Sequence, residues 1–129
     1  MLSFVYIGVG GFLGAVSRYA VTVWCAQRWG ADFPYGTLAV NTLGSMAIGF
    51  VLTWIGGRLA VPSEVRLLLV VGFLGGFTTF SSFAYETFRL AEQGAIVGAL
   101  LNLLLNVSLS MASVTVGVLI ARVLQSGGN

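Results

Sequence analysis

Apolar residues run in four long blocks along this chain, and short clusters of charge, glycine or proline separate them. A membrane-spanning helix needs about 20 mostly apolar residues, and an unpaired charge at the bilayer centre costs about 2.5–3.5 kcal/mol on insertion scales, so charge marks the boundaries. The pattern predicts spans over roughly residues 2–26, 35–55, 63–89 and 95–124. Gln27-Arg28-Trp29-Gly30-Ala31-Asp32-Phe33-Pro34 closes the first, Gly56-Gly57-Arg58 the second, and Glu92-Gln93-Gly94 separates the third from the fourth. Pro62-Ser63-Glu64 opens the third with Pro62 or Ser63 near a helix N-terminus and an acid in the first turn. The reading is an all-α membrane protein, residues 1–129 forming one four-helix transmembrane domain, with Gln125-Ser126-Gly127-Gly128-Asn129 as a disordered tail. No basic leader precedes the first block, which outlasts the short apolar core of a signal peptide, so it reads as a retained span.

Polar residues inside the spans follow helical spacing. Thr37, Asn41, Gly44 and Ser45 share a stripe on the second span, and Asn102, Asn106, Ser110, Ser113 and Gly117 share one on the fourth. Each such group needs a partner helix or a wet path. Asn and Ser also serve as interhelical glue, at about 0.6 kcal/mol per bond, but two stripes of this length favour a hydrated or ion-conducting path. Amides and hydroxyls can turn donors toward an anion, whereas a cation path calls for buried carboxylates, and the span centres contain none. Glu86 is the deepest acid and Arg18 the deepest base; Arg18 either snorkels to the interface or faces a wet vestibule that concentrates anions.

The segment Gly72-Phe73-Leu74-Gly75-Gly76-Phe77-Thr78-Thr79-Phe80-Ser81-Ser82-Phe83 places poor helix formers in the middle of the third span. It predicts a helix break near Gly75–Thr79, which is tolerated at mid-membrane only where the freed backbone is buried, lines a cavity or binds an ion. Phe77, Phe80 and Phe83 recur every three residues; this suits ordinary packing, and it also suits rings turned edge-on toward an anion. Glycine pairs at four-residue spacing, Gly10/Gly14, Gly72/Gly76 and Gly94/Gly98, predict close helix approach. The glycines around Gly8–Gly14 lie in a span with no preceding strand, so they are not a phosphate-cradling loop, and the acceptor triplet Asn106-Val107-Ser108 is within the fourth span.

Composition narrows the function. At 57% hydrophobic and 8% charged, the chain is not a soluble domain, and six basic residues against four acidic ones are too few to wrap a nucleic-acid backbone. With no histidine and a single cysteine, Cys25, neither an intrachain disulfide, a Cys/His zinc cluster nor histidine acid–base chemistry is available, and no nucleophile–base pair suggests an enzyme. Four spans put Arg58, Arg66 and Arg122 on one face and Arg28 and Arg89 on the other. A bias this slight allows insertion both ways round; the alternative is a weak preference set by Arg66 or Arg18.

Three blocks in order, Gly10-Gly11-Phe12-Leu13-Gly14-Ala15-Val16-Ser17-Arg18-Tyr19, Gly36-Thr37-Leu38-Ala39-Val40-Asn41-Thr42-Leu43-Gly44 and the Gly72–Phe83 segment, resemble the Fluc (CrcB) fluoride channels over nearly the whole chain. The resemblance implies an antiparallel, dual-topology homodimer in the cell (inner) membrane of a prokaryote. It implies two fluoride pores per dimer that export fluoride passively and relieve its toxicity, and a structural sodium ion (Na+) at the dimer centre that is not transported. It further implies that Asn41 donates to fluoride, that Phe80 and Phe83 present ring edges to it, that backbone carbonyls of Gly75 and Thr78 ligate sodium, and that Arg18 lies in an aqueous vestibule. Thr79 and Ser81 would add hydroxyls, and Asn102, Asn106 and Ser110 would continue the polar track. The rival reading is a small multidrug-resistance-type exporter, also four-span and dual-topology, but such a transporter needs a carboxylate in the first span, which here carries Arg18 and no acid.

Overall fold

The computed structural model describes residues 1–57 and 61–127, so Arg58 and the end of the tail, Gly128-Asn129, lie outside the described residues. Among the described residues four helical stretches are long and apolar enough to cross a membrane: Leu2–Trp29, Tyr35–Gly56, Ser63–Glu92 and Ile96–Ser126. The expected spans are all present, and the first, third and fourth run two or three residues further at their C-terminal ends than charge alone suggested. Arg28, Arg89 and Gln125 are therefore helical. At a helix end a long side chain reaches the interface from within the last turn, so charge stops the apolar run before it stops the helix.

Glycine supplies two of the chain reversals. Gly30, at φ 85°, donates its N–H to the Ala26 carbonyl and ends the first span. Gly94, at φ 80°, ends the third: its N–H reaches the Ala91 carbonyl while that of Ala95 reaches Leu90, the paired bonds of a Schellman turn. Gly94 is thus a turn residue and not half of a helix-packing pair with Gly98, which corrects the sequence expectation. The tail expectation also changes, since Gln125 and Ser126 are helical and Gln125 Nε2 donates to the carbonyls of Thr53 and Trp54. A side chain of the fourth span thereby adds a donor to carbonyls at the C-terminal end of the second.

The first span packs along the N-terminal half of the third, and the second along the fourth. Both seams are made by glycine. Gly10 and Gly14 lie against the backbone around Leu68 and Phe73, while Gly49 and Gly117 bring the second and fourth spans into backbone contact near Val114 and Met46. The expected Gly10/Gly14 and Gly72/Gly76 pairs are both used, facing each other across the first seam.

The third span is not one helix. After an α-helical turn at Ser63–Arg66, residues Leu67–Leu74 wind as a π-helix, and Gly75–Phe77 return to α geometry. The chain then extends at Thr78 (φ −83°, ψ 158°) and Thr79 (φ −151°, ψ 123°) before the helix restarts over Phe80–Glu92. The break is therefore narrower than the sequence indicated: Gly75 keeps helical dihedrals, and only the two threonines leave the helix. Thr79 caps the restart by accepting the Ser82 N–H at its own hydroxyl, 3.2 Å away, a role that suits a threonine two residues after Phe77 better than it suits glycine.

Candidate functional site

Extending the backbone at Thr78–Thr79 removes the N–H of Thr79 from the helix, and the side chain of Asn41 takes it. Asn41 Oδ1 accepts from Thr79 N at 2.8 Å, and Asn41 Nδ2 donates to the Thr79 carbonyl at 2.9 Å. The primary amide thus pairs with the broken backbone as a neighbouring peptide group would. Its second N–H goes to Asn106 Oδ1 at 3.0 Å. Asn106 Nδ2 in turn donates to the side-chain and backbone oxygens of Asn102, at 2.9 and 3.0 Å, and Asn102 Nδ2 donates to Thr87 Oγ1 at 2.9 Å. Thr87 spends its own hydrogen on the Phe83 carbonyl, 2.8 Å away. Asn102 and Asn106 are 0% and 4% exposed, a burial that amides tolerate because every step of this ladder is paired.

Asn41, Ser45, Thr78, Thr79, Asn106 and Ser110 contribute to a cavity of about 440 Å³ at mid-span, with Phe80, Phe83 and aliphatic side chains such as Ile48, Leu74 and Met111 on its wall and no charge among the described lining residues. The two rings meet edge to face, centroids 5.4 Å apart at 69°. Phe83 is buried, whereas Phe80 is 78% exposed. Ser81 is exposed and touches the site only through Thr79, Oγ to Oγ at 3.4 Å. Arg18 reaches the other side of the break, with one guanidinium nitrogen 3.4 Å from the Thr78 carbonyl.

A second cavity, of about 710 Å³, opens at the end of the bundle where the first span turns into the second, and Thr37 and Glu86 are in its lining. Thr37 Oγ1 donates to Glu86 Oε1 at 2.8 Å, while Glu86 Oε2 is buried without a partner among the described residues. Thr37 precedes Asn41 by one turn, and Glu86 follows Phe83 by one, so the two cavities are neighbours on the same two helices.

The structure therefore gathers Asn41, Thr79, Phe80, Phe83, Asn106 and Ser110 at one cavity and ties Asn102 to it through Asn106. It leaves Ser81 at the margin. Sequence reasoning did not foresee Thr87 as the acceptor at the end of the ladder; its one signal, a threonine four residues after Phe83 in a helix, is shared by many threonines that merely bond back to their own helix. It placed Thr37 on the polar stripe without pairing it to Glu86.

Among the described residues, four apolar helices, a break within the third and a ladder of buried Asn amides beside an uncharged cavity define a multi-pass membrane protein with polar groups in its core. The chain belongs to the CrcB family: the family described as CrcB-like protein, Camphor Resistance (CrcB), matches residues 5–118. A relative from Roseiflexus sp. (strain RS-1) named fluoride-specific ion channel FluC is 50% identical over 123 residues, 95% of this chain and 99% of the relative. Relatives of the same name from Legionella pneumophila (strain Lens) and Syntrophotalea carbinolica are 49% and 45% identical, covering 90% and 92% of this chain and 87% and 96% of their own lengths.

Proposed function

We propose that this protein is a fluoride-selective channel of the cell membrane that lets fluoride leave passively and so lowers its toxicity within the cell. The observation that carries the reading is the Asn41 amide, fixed to the Thr79 backbone at a cavity where a few amides and hydroxyls stand among two phenyl rings and aliphatic side chains, with no charge among the described lining residues. Fluoride is small and tightly hydrated, so a pore must replace lost water with several directed donors. Asn41 supplies an N–H, Ser110 and Thr79 supply hydroxyls, and Phe80 and Phe83 supply the positive edges of their rings. A fixed cation at the narrowest point would hold the ion too long, since conduction requires that it also leave. The route continues past Asn106 and Asn102, and the larger cavity at Thr37 and Glu86 serves as its mouth on one side. A multidrug-type exporter, the alternative, lacks the first-span carboxylate it needs.

The working unit we propose is an antiparallel homodimer with two pores. Irregular backbone is not tolerated against lipid, yet Thr78 in the break is only half-buried, and Gly75 and Phe80 on either side of it are exposed in the single chain. A second copy would cover them, and the near balance of arginines between the two faces suits inverted insertion. A structural sodium ion fits the same place. The Thr79 N–H is turned to Asn41 rather than back to the Gly75 carbonyl, and the Thr78 carbonyl receives a long contact from Arg18. Gly75 and Thr78 thereby offer hard oxygens, two from each copy, of the kind such an ion takes.

Efflux from liposomes holding the purified protein, measured for fluoride beside chloride, tests the function; fluoride moving no faster than chloride would end the reading. Phe83→Ile and Phe80→Ile each lower fluoride efflux about tenfold, the value of a lost ring-edge contact, while size-exclusion profiles stay those of the parent. Efflux at the parent rate in both variants would reduce the rings to packing.

A further inference from the structure

The ladder from Asn41 to Thr87 has a direction, and both of its ends dictate it. At one end the Thr79 backbone N–H can only donate, which turns Asn41 Oδ1 toward it. At the other, the Thr87 hydroxyl has already given its single hydrogen to the Phe83 carbonyl, so toward Asn102 it can only accept. Between these ends every amide must point the same way: Asn41 to Asn106, Asn106 to Asn102, Asn102 to Thr87. In this arrangement both N–H groups of Asn41 are in use, and Asn106 presents its carbonyl oxygen, not its NH2, to the place where an anion would meet Asn41. An anion entering there gains one donor and faces one acceptor, a poor substitute for water. If Asn106 is to turn its NH2 to the ion, it gives up its bonds to both Asn102 oxygens, its own oxygen must swing clear of the Asn102 backbone carbonyl to find a donor in the Asn102 side chain, and the Asn102 side-chain oxygen must then find one in turn. Among the described residues, the group bonded to Asn102 at that end of the ladder is the Thr87 hydroxyl, whose hydrogen can rotate.

We propose that Thr87 is the positioning residue of the pathway. Rotation of its hydroxyl from the Phe83 carbonyl to the Asn102 side-chain oxygen lets the ladder reverse, so that Asn106 and Asn41 together direct amide donors at one fluoride ion. The inference rests on the fluoride-channel reading and adds to it a residue that touches no ion. It ties donor orientation to Phe83 as well, because the carbonyl that Thr87 releases belongs to the residue bearing one of the two rings.

The test compares the full-length parent, Thr87→Val and Thr87→Ser in liposomes, following initial fluoride efflux against internal fluoride concentration. A defect that merely lowers the number of folded channels scales all rates equally, whereas loss of the hydroxyl rotor weakens ion capture. The expected result is an increase of about tenfold in the half-saturating fluoride concentration for Thr87→Val, the value of one hydrogen bond, with Thr87→Ser within about twofold of the parent. A concentration dependence in Thr87→Val equal to the parent's overturns the proposal. Should that variant fail to fold, 15N-asparagine labelling of the parent decides the matter, since the chain has only Asn41, Asn102, Asn106 and Asn129 to resolve. Fluoride titration is expected to shift the side-chain amide signals of Asn102 along with those of Asn41 and Asn106. A shift at Asn41 while Asn102 stays fixed overturns the reversal. A parent that conducts fluoride while failing these tests loses the ladder mechanism alone; a parent that conducts none loses the channel reading and the ladder with it.

Discussion

In Asn41→Asp, fluoride efflux falls at least about 30-fold at neutral pH and recovers in part as the pH is lowered. The two side chains have nearly the same shape, but an ionised carboxylate donates nothing. The Thr79 carbonyl and Asn106 Oδ1, which Asn41 Nδ2 serves at 2.9 and 3.0 Å, would each face a negative oxygen. Only the bond from Thr79 N–H to the side chain is kept, and it becomes charge-assisted. Repulsion adds to this: two like charges 4 Å apart interact by about 4 kcal/mol at an effective dielectric constant near 20, and even half of that is about a 30-fold rate loss. Protonating the new carboxyl removes the charge and returns one donor, so efflux rises toward acid. Thermal melting and size exclusion of the same preparation separate blocked conduction from misfolding. Efflux equal to the parent's at neutral pH would mean that the Asn41 amide does not meet the ion.

How much of this could be read from the sequence differs by element, for physical reasons. The spans were legible because the bilayer imposes one requirement on every residue, and the charges at Arg28, Glu64, Arg89 and Glu92 answer it locally. The break was legible as a region, since Gly75-Gly76 and Thr78-Thr79 all weaken a helix; the dihedrals fall on the threonines alone because Asn41, thirty-eight residues away, supplies the partner that Thr79 N–H loses. That contact is tertiary, and local propensity does not contain it. The π-helix over Leu67–Leu74 has no signal of its own in an apolar run; it lies where the third span follows the glycines of the first, against Gly10 and Gly14. The stripe Asn102-Asn106-Ser110 was legible because helical periodicity places its members on one face. Which way each amide points was not, because direction is set by Thr79 N at one end and Thr87 Oγ1 at the other, both on the third span.

A large effect on folding is expected at Gly14, where alanine costs about 3 kcal/mol or more, while alanine at Gly8 in the same helix is neutral or slightly stabilising. A methyl group added at Gly8 meets nothing within 4 Å, and removing a glycine from a helix interior gains up to about 1 kcal/mol. At Gly14 the same methyl runs into the Phe73 carbonyl oxygen, with Phe73 C at 3.0 Å and Phe77 N at 2.9 Å. These are backbone atoms, which cannot swing aside as the end of a side chain can. Relief must come from separating the first span from the third, and that seam leads directly into the site. One turn beyond Gly14, Arg18 reaches the Thr78 carbonyl; one residue beyond Phe77 the backbone leaves the helix. Spreading the seam therefore moves the break relative to Asn41, so any Gly14→Ala protein that folds should also conduct poorly, whereas Gly8→Ala should conduct as the parent does. Size-exclusion yield in mild detergent and fluoride efflux, measured on both variants, give the comparison. Equal yields and equal efflux would mean that the seam yields more readily than the backbone contacts at Gly14 allow.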